Sequence, residues 1–360
     1  MSERGDPART APAPRANPDL LGHETVEREL RRLVAAGRLP HALLICGPRG
    51  IGKATLAFRL ARYVLAHGAG ENASPALAGA GEGLAIPPDS GTFRRVAAGG
   101  HADLLTVERA WDPRRRRLRG EIVIDDTREI AQFLRLTPAE GGWRVVVVDG
   151  ADEMNRNAAN ALLKVLEEPP SRALLLLVAH SPGRLLPTLR SRCRRLALAP
   201  LAPAIVRRLL TCHRPDLPEA QIDELAALTD GSIGRALDLA AAGGGELYHA
   251  IVELLTRDDG IDAVALHGFA DRLARAEADE AYRAAADLLA RIVGGLALAA
   301  AGGGAGEGPP LDRLAARVPA SRWAEIRAEV DENFSRTDGL NLDRKQAILG
   351  AFFAIAAAAR

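Results

Sequence analysis

The chain has 360 residues, which is enough for two or three domains. A hydrophobic content of 48% supports buried cores, and a formal net charge of +1 gives no global attraction to nucleic acid. The three cysteines, Cys46, Cys193 and Cys212, lie far apart, so they predict a reducing cytoplasm, no disulfide framework and no metal site.

The first elements are a polar segment and an amphipathic pattern. Residues 1–17 are rich in Pro, Ala and Arg, which predicts disorder, and they lack the apolar stretch of a signal peptide. Residues 24–36 carry apolar side chains three and four positions apart, which predicts a helix.

A P-loop pattern, G-x-x-x-x-G-K-[ST], follows at residues 47–55, but its last position is changed. Gly47, Gly52 and Lys53 are in place, whereas Ala54 stands where a hydroxyl residue is required. In such a loop the backbone N–H groups bind phosphate, the lysine reaches the outer phosphates and the hydroxyl holds Mg²⁺. The pattern therefore predicts a nucleotide site that has lost a metal ligand.

The surroundings of the loop support this interpretation. An apolar strand, residues 42–46, precedes it and a helix over residues 54–66 follows it. The chain has 44 arginines and only three lysines, so composition alone does not explain a lysine at the phosphate position. Thr55 comes one residue too late, because on a helix it points about 100° away from the position of Ala54.

The next part of the chain is less regular. Residues 68–100 have no convincing period and predict an irregular insertion, followed by a strand over residues 103–107. The arginine-rich segment Arg114–Arg119 predicts a basic loop or hairpin tip, with a contact to DNA or a partner as the alternative. Asp126 predicts the N-cap of a helix that runs to about Leu136.

Two apolar runs, residues 144–148 and 173–178, predict buried parallel strands, and residues 157–168 between them predict a helix. Strands that alternate with helices indicate an α/β fold with a parallel sheet. Residues 203–242 then predict about three short helices. Residues 246–360 read as all helix, including a terminal apolar stretch that is too short to span a membrane.

The end of the strand at residues 144–148 carries a second nucleotide-site signal. Asp149 stands where P-loop enzymes place a carboxylate partner of Mg²⁺. Gly150 stands where hydrolysing enzymes have an acid that orients the attacking water, and Asp152 is too far along to replace it. Together, Ala54 and Gly150 predict a site without ATPase activity. The candidate nucleotide-binding residues of the loop and strand are Gly47, Gly50, Gly52, Lys53, Ala54, Thr55 and Asp149.

Three further motifs identify the chain more closely. Asn160–Pro170 reads NALLKVLEEPP, Leu189–Cys193 reads LRSRC and Gly231–Arg235 reads GSIGR. With these motifs the chain strongly resembles bacterial clamp-loader subunits of the AAA+ class, over about residues 19–242. Because the P-loop and the catalytic acid are changed, it is similar to the delta prime branch rather than to the ATP-hydrolysing gamma/tau branch. Many delta prime proteins carry a four-cysteine zinc module, which this sequence lacks.

The resemblance implies roles for single residues. Arg192, between Ser191 and Cys193, matches an arginine finger that acts in trans on ATP held by a neighbouring subunit. The alternative is one surface arginine in an arginine-rich chain. Arg235 matches the sensor 2 arginine, with a plain helix-surface arginine as the alternative. His180 falls in the sensor 1 region, where its role is open.

The resemblance also implies an architecture: a P-loop AAA+ α/β domain with a parallel sheet over residues 18–199, a small helical lid over residues 200–244 and an all-α collar domain over residues 245–360. The implied partners are gamma/tau and delta subunits, the sliding clamp and, through the complex, primed DNA. No membrane and no zinc are expected. ATP or ADP bound without hydrolysis stays open, and an active gamma/tau-like ATPase or a P-loop small-molecule kinase remains an alternative.

Overall fold

The computed structural model describes residues 11–68, 83–112, 117–140, 142–257, 259–303 and 308–359. These residues form two compact units. One contains the residues up to Asp216 together with Thr229–Arg235, and the other contains Leu217–Leu228 and the residues from Ala236 onward. Among the described residues, no helix has both the length and the apolar character needed to cross a membrane.

The first unit is built on a parallel β-sheet. In chain order the strands are β1 (Ala42–Cys46), β2 (Leu104–Val107), the short strands β3 (Trp111–Asp112) and β4 (Arg117–Leu118), then β5 (Arg144–Asp149), β6 (Ala173–Ala179) and β7 (Arg194–Ala197). Five of them form one sheet in the order β2-β5-β6-β1-β7, while β3 and β4 form a separate antiparallel pair. The predicted parallel α/β class is therefore confirmed.

Helices cover both faces of this sheet. Their bounds are α1 (Glu24–Ala35), α2 (Lys53–His67), α3 (Gly91–Ala97), α4 (Ile124–Arg135), α5 (Arg156–Glu167) and α6 (Pro187–Arg190). Helix α7 (Pro203–His213) follows the last strand. Alternate residues of β1 enter different cores: Leu43 and Ile45 pack with α1, α2 and α3, whereas Leu44 packs with α4, α5 and α6. Burial on both faces explains why the central strands read as continuous apolar runs.

The N-terminal segment differs from the prediction. Pro14–Ala16 form a 3₁₀ turn. Arg62 of α2 is fully buried and donates from Nη1 to the backbone oxygen of Arg15 and from Nη2 to that of Asn17, both at 2.7 Å. The expected disorder is thus wrong for residues 11–17, because a buried guanidinium needs these carbonyl groups. Residues 1–10 lie outside the described residues.

Two local predictions also need correction. Helix α4 begins at Ile124, so Asp126 is not its N-cap; it is the third residue, and its carboxylate accepts a hydrogen bond from the backbone nitrogen of Val123 at 2.9 Å. The segment predicted as irregular contains α3, which is capped by Ser90. Seven residues are too few to show a helical period. Residues 69–82 lie outside the described residues.

The chain continues as helices after α7. Their bounds are α8 (Glu219–Leu228), α9 (Ile233–Ala241), α10 (Gly244–Thr256), α11 (Ala263–Leu273), α12 (Asp279–Ala300), α13 (Pro309–Ala315), α14 (Ala320–Leu340) and α15 (Arg344–Ala359). Trp323 is fully buried and its indole N–H donates to the backbone oxygen of Ala315. The all-helical prediction is confirmed for the described residues. Neither unit corresponds to the predicted lid over residues 200–244, so the three domain boundaries stay a prediction.

Candidate functional site

The P-loop lies at the carboxyl edge of the parallel sheet. It connects β1 to α2, and Lys53 is the first residue of that helix. The lysine is buried, and its Nζ donates to the backbone oxygen of Pro48 in the same loop. Burial lowers the pKa of Lys53 to about 8, and the charges of Asp149 and Asp152 oppose that shift. The lysine predicted to bind phosphate is thus at the start of α2 as expected, but it is bonded to its own loop.

The GSIGR motif closes on this loop. The Ser232 hydroxyl donates to the backbone oxygen of Arg49 at 2.8 Å, and the Gly234 nitrogen donates to that of Gly50 at 2.9 Å. Gly50 has a φ of +77°, and a Cβ there would come within 2.4 Å of the Ser232 hydroxyl. Glycine is therefore required at position 50 both for its backbone conformation and for this close approach.

The last residue of that motif lies beside the same segment. The backbone nitrogen of Arg235 donates to the Ser232 hydroxyl at 3.2 Å, and its guanidinium lies 4.0 Å from the carboxylate of Asp230. The structure thus brings the P-loop and the predicted sensor 2 segment together. Sequence analysis missed the contribution of Ser232, although a hydroxyl between the two glycines of the GSIGR motif was a visible signal.

The metal position of the loop carries no oxygen ligand from α2. Ala54 is the second residue of that helix and is partly exposed, whereas Thr55 is buried in the unit's interior. A methyl group does not coordinate Mg²⁺, which takes oxygen ligands. Thr55 is the next residue along the helix, about 100° around its axis from Ala54, so it does not take the position of the missing hydroxyl.

The carboxylate side of the site is changed as well. Burial raises the pKa of Asp149 to about 6, the negative charge of Glu108 adds to this, and Lys53 opposes it. Asp149 is therefore mainly ionised at pH 7. Gly150 has a φ of +85°, so any side chain at the position of the catalytic acid would strain the backbone. Restoring an acid there would cost conformational energy.

Asp152 has a structural role that the sequence does not predict. Its carboxylate accepts hydrogen bonds from the backbone nitrogens of His180, at 3.0 Å, and Ser181, at 2.7 Å. It therefore ties the turn after β5 to the end of β6. Burial, with help from the charge of Lys53, lowers the pKa of His180 to about 4, so this histidine is neutral near pH 7.

Arg192 lies at the amino edge of the sheet, whereas the P-loop lies at the carboxyl edge. Strand β7 runs parallel to β1, with Arg194 opposite Leu43 and Ala197 opposite Cys46. The start of β7 and the P-loop are thus separated along the strands by three residue steps, or roughly 10 Å. Arg192 precedes β7, so it lies at the amino edge of the sheet, opposite the edge that carries the predicted nucleotide site. This topology therefore does not support a role for Arg192 in the nucleotide site predicted for its own chain.

The flanking residues of Arg192 are structural. The Ser191 hydroxyl donates to the backbone oxygen of Thr188 at 3.1 Å. Cys193 is buried in the sheet core, and burial raises the pKa of its thiol to about 11. The thiol is therefore a packing group and not a nucleophile.

A comparison with family models decides the classification. The model described as DNA polymerase III, delta subunit, matches residues 22–202, which is half of the chain. The chain belongs to this family.

Individual members of the DNA polymerase III family show the same relationship. The chain is 39% identical to DNA polymerase III subunit delta′ of Pseudomonas aeruginosa over 59% of its length and 60% of that protein. It is 36% identical to the Escherichia coli delta′ subunit over 59% of its length and 58% of that protein. The Escherichia coli tau subunit is 29% identical over 68% of this chain and 36% of that protein. The alignments thus span less than two thirds of these relatives.

The arginine-rich segment adds nothing to the site at present. Arg114–Arg116 lie outside the described residues, as does the side chain of Arg117. Arg119 is exposed, and its backbone nitrogen donates to Ala110 where β3 and β4 form their hairpin. The contact to DNA or a partner, given above as the alternative for this segment, stays a prediction.

Metal analysis of the purified protein should find no stoichiometric zinc. A structural zinc site needs about four Cys or His ligands close together. Among the described residues there is no group of three potential ligands. The nearby histidines each have one ring nitrogen engaged, since Nδ1 of His67 contacts the Tyr63 carbonyl and Nδ1 of His101 accepts from the nitrogen of Asp103. Inductively coupled plasma mass spectrometry is the measurement, and one zinc per chain after dialysis against a mild chelator would contradict it.

Proposed function

We propose that this chain is a delta prime-type stator subunit of the DNA polymerase III clamp loader. It supplies Arg192 in trans to ATP bound by a neighbouring subunit and hydrolyses no ATP itself. The family match and the two delta′ relatives support the assignment. Ala54 and Gly150 support the absence of hydrolysis, since each removes a group that P-loop enzymes use.

The observation that carries this proposal is the location of Arg192 at the edge of the sheet away from its own P-loop. A guanidinium there cannot stabilise charge on a phosphate bound after β1 of the same chain. It can do so for a nucleotide that a second subunit presents to this edge. The site for the chemistry is then completed only in a complex.

The partners follow from the same proposal. A gamma/tau subunit provides the ATP that Arg192 contacts, and a delta subunit completes the assembly. The complex opens the sliding clamp and places it on primed DNA in the cytoplasm. The proposal leaves open whether the P-loop of this chain binds a nucleotide without hydrolysing it. The loop is well formed, but its lysine, Lys53, donates to the backbone oxygen of Pro48. The chain has no polymerase activity of its own under this proposal.

Two other functions remain as competitors. A gamma/tau-like ATPase would need the hydroxyl and the acid that Ala54 and Gly150 have replaced. A small-molecule kinase would need the same Mg²⁺ ligands and would leave the motif around Arg192 without a use. Neither competitor explains why the changed positions and the family motifs occur together.

Reconstitution tests the proposal. The full-length chain, the gamma/tau and delta subunits and the clamp of the same genome are purified separately, mixed and separated by size-exclusion chromatography with light scattering. We expect one complex that contains this chain, and clamp loading on primed DNA that stops when the chain is left out. A mixture that loads clamps equally well without it would refute the stator function.

A further inference from the structure

The guanidinium of Arg192 is held at two points. Its Nη2 lies 2.7 Å from Oε1 of Glu167, and its Nη1 donates to the backbone oxygen of Thr188 at 2.9 Å. Glu167 is the last residue of α5, and Thr188 lies in α6, so both partners are fixed by helices of one unit. The side chain of Arg192 is nevertheless 36% exposed. The group is held at the surface and is not withdrawn into the core.

Glu167 lies at the same edge of the sheet as Arg192. Helix α5 ends at the amino edge of the sheet, where His41, just before β1, contacts the backbone oxygen of Leu166. The end of a helix carries a partial negative charge, which favours a cation there. The carboxylate, the helix end and the Thr188 carbonyl therefore all act on one guanidinium at the edge that the proposed function assigns to the neighbouring subunit.

Among the described residues, only Glu167 and Thr188 engage the guanidinium of Arg192, which leaves further donors available to such a neighbour. A guanidinium has five N–H donors in a planar fork, and the contacts to Glu167 and Thr188 use two of them. An exposed arginine otherwise samples many rotamers, which it must lose when it meets a phosphate. A group that is already oriented loses less freedom at the moment of reaction.

We propose that Glu167 is the positioning residue of Arg192. Its carboxylate oxygen holds the guanidinium in the orientation from which the free N–H groups reach the phosphoryl oxygens of a neighbour's ATP. This inference rests on the proposed function, since it needs Arg192 to act in trans.

The chain provides a matched control. Arg194 pairs with Glu29 at 2.6 Å, and these side chains are 45% and 50% exposed. The Arg192–Glu167 pair has nearly the same length, 2.7 Å, and exposures of 36% and 50%. The two pairs differ mainly in which arginine they hold. Exposed pairs contribute little to folding stability, so variants of either pair are expected to remain folded.

The test uses the reconstituted complex of full-length subunits and measures the rate of clamp loading on primed DNA and the KM for ATP. Glu167→Ala should lower the maximal rate about threefold, the size expected for one exposed ion pair, with KM unchanged. Glu167→Gln should stay within about twofold of wild type, because its amide oxygen still accepts from Arg192. Glu29→Ala should match wild type.

A double substitution separates positioning from general structural damage. Arg192→Ala with Glu167→Ala should be no slower than Arg192→Ala alone, because Glu167 acts only through Arg192. Further slowing by the second substitution would overturn the inference. So would faster loading by both Glu167 variants, which would mean that the glutamate keeps Arg192 away from its target.

Failure of the inference and failure of the proposed function look different. If Arg192→Ala slows loading and Glu167→Ala does not, the stator function stands and the positioning role of Glu167 is overturned. If Arg192→Ala loads clamps at the wild-type rate, the trans role itself is refuted and the inference falls with it. Should Glu167→Ala fail to fold, Glu167→Lys keeps a soluble side chain, repels Arg192 and is expected to slow loading at least as much.

Discussion

Replacing Arg192 with alanine should leave the protein folded and able to join the complex, while ATP hydrolysis at the adjoining site falls on the order of a thousandfold or more. The side chain is partly exposed and its ion pair with Glu167 contributes little to stability. Its charge acts mainly as negative charge develops on the transferring phosphoryl group, so rate suffers more than assembly. Single-turnover hydrolysis in the complex is the measurement.

Arg194→Ala is the control for that experiment. It removes a nearby arginine of similar exposure, whose partner is Glu29 on α1. We expect wild-type hydrolysis from this variant. Under the proposed function only some of the ATP sites in the complex border this subunit, so the steady-state ATPase of the Arg192→Ala complex should fall partly. Its clamp loading, which needs the sites to act together, should fall further. Equal rates for the two variants would make Arg192 an ordinary surface arginine.

Replacing Glu27 with alanine should destabilise the unit that contains the sheet by about 3–5 kcal/mol. The carboxylate of Glu27 lies 2.6 Å from Nε of Arg59, and the two side chains are only 5% and 7% exposed. Arg59 also donates to the backbone oxygen of Pro18. Removing the glutamate leaves a buried guanidinium without its counter-charge. Urea unfolding followed by circular dichroism measures the loss.

Glu140→Ala is the matched control for Glu27→Ala. It removes the Arg95–Glu140 pair, which is 2.8 Å long but 43% and 48% exposed. An exposed pair contributes less than about 1 kcal/mol, so this variant should unfold close to the wild-type midpoint. An equal loss of stability in the two variants would show that burial does not set the contribution of the Glu27 pair.

Much of the fold follows from local sequence patterns. Strands β1, β5 and β6 are buried on both faces, so each is a continuous apolar run that is visible without a structure. The helical character of the C-terminal region also follows from the sequence. Helix α3 is too short to show one, and the turn at Pro14–Ala16 depends on Arg62, which is distant in the chain.

The sequence also predicts part of the candidate functional site. Family motifs point to the P-loop, to Arg192 and to the segment at Arg235. They do not predict the bonds between these elements and the rest of the fold. The Ser232 hydroxyl contacts a loop residue 183 positions away in the sequence. Glu167 contacts Arg192 although strand β6 and helix α6 lie between them in the chain. Such contacts are set by the packing of the sheet and not by local pattern.

ATP turnover by the isolated full-length chain tests the central claim most directly, because the competing gamma/tau-like function requires hydrolysis. The account predicts no turnover above background at saturating ATP and Mg²⁺, and no rescue by Ala54→Thr. That substitution restores a metal ligand, but Gly150 still provides no acid and Lys53 is still bonded to Pro48. Turnover by the wild-type chain near one per second, a typical value for working enzymes, would contradict the stator function.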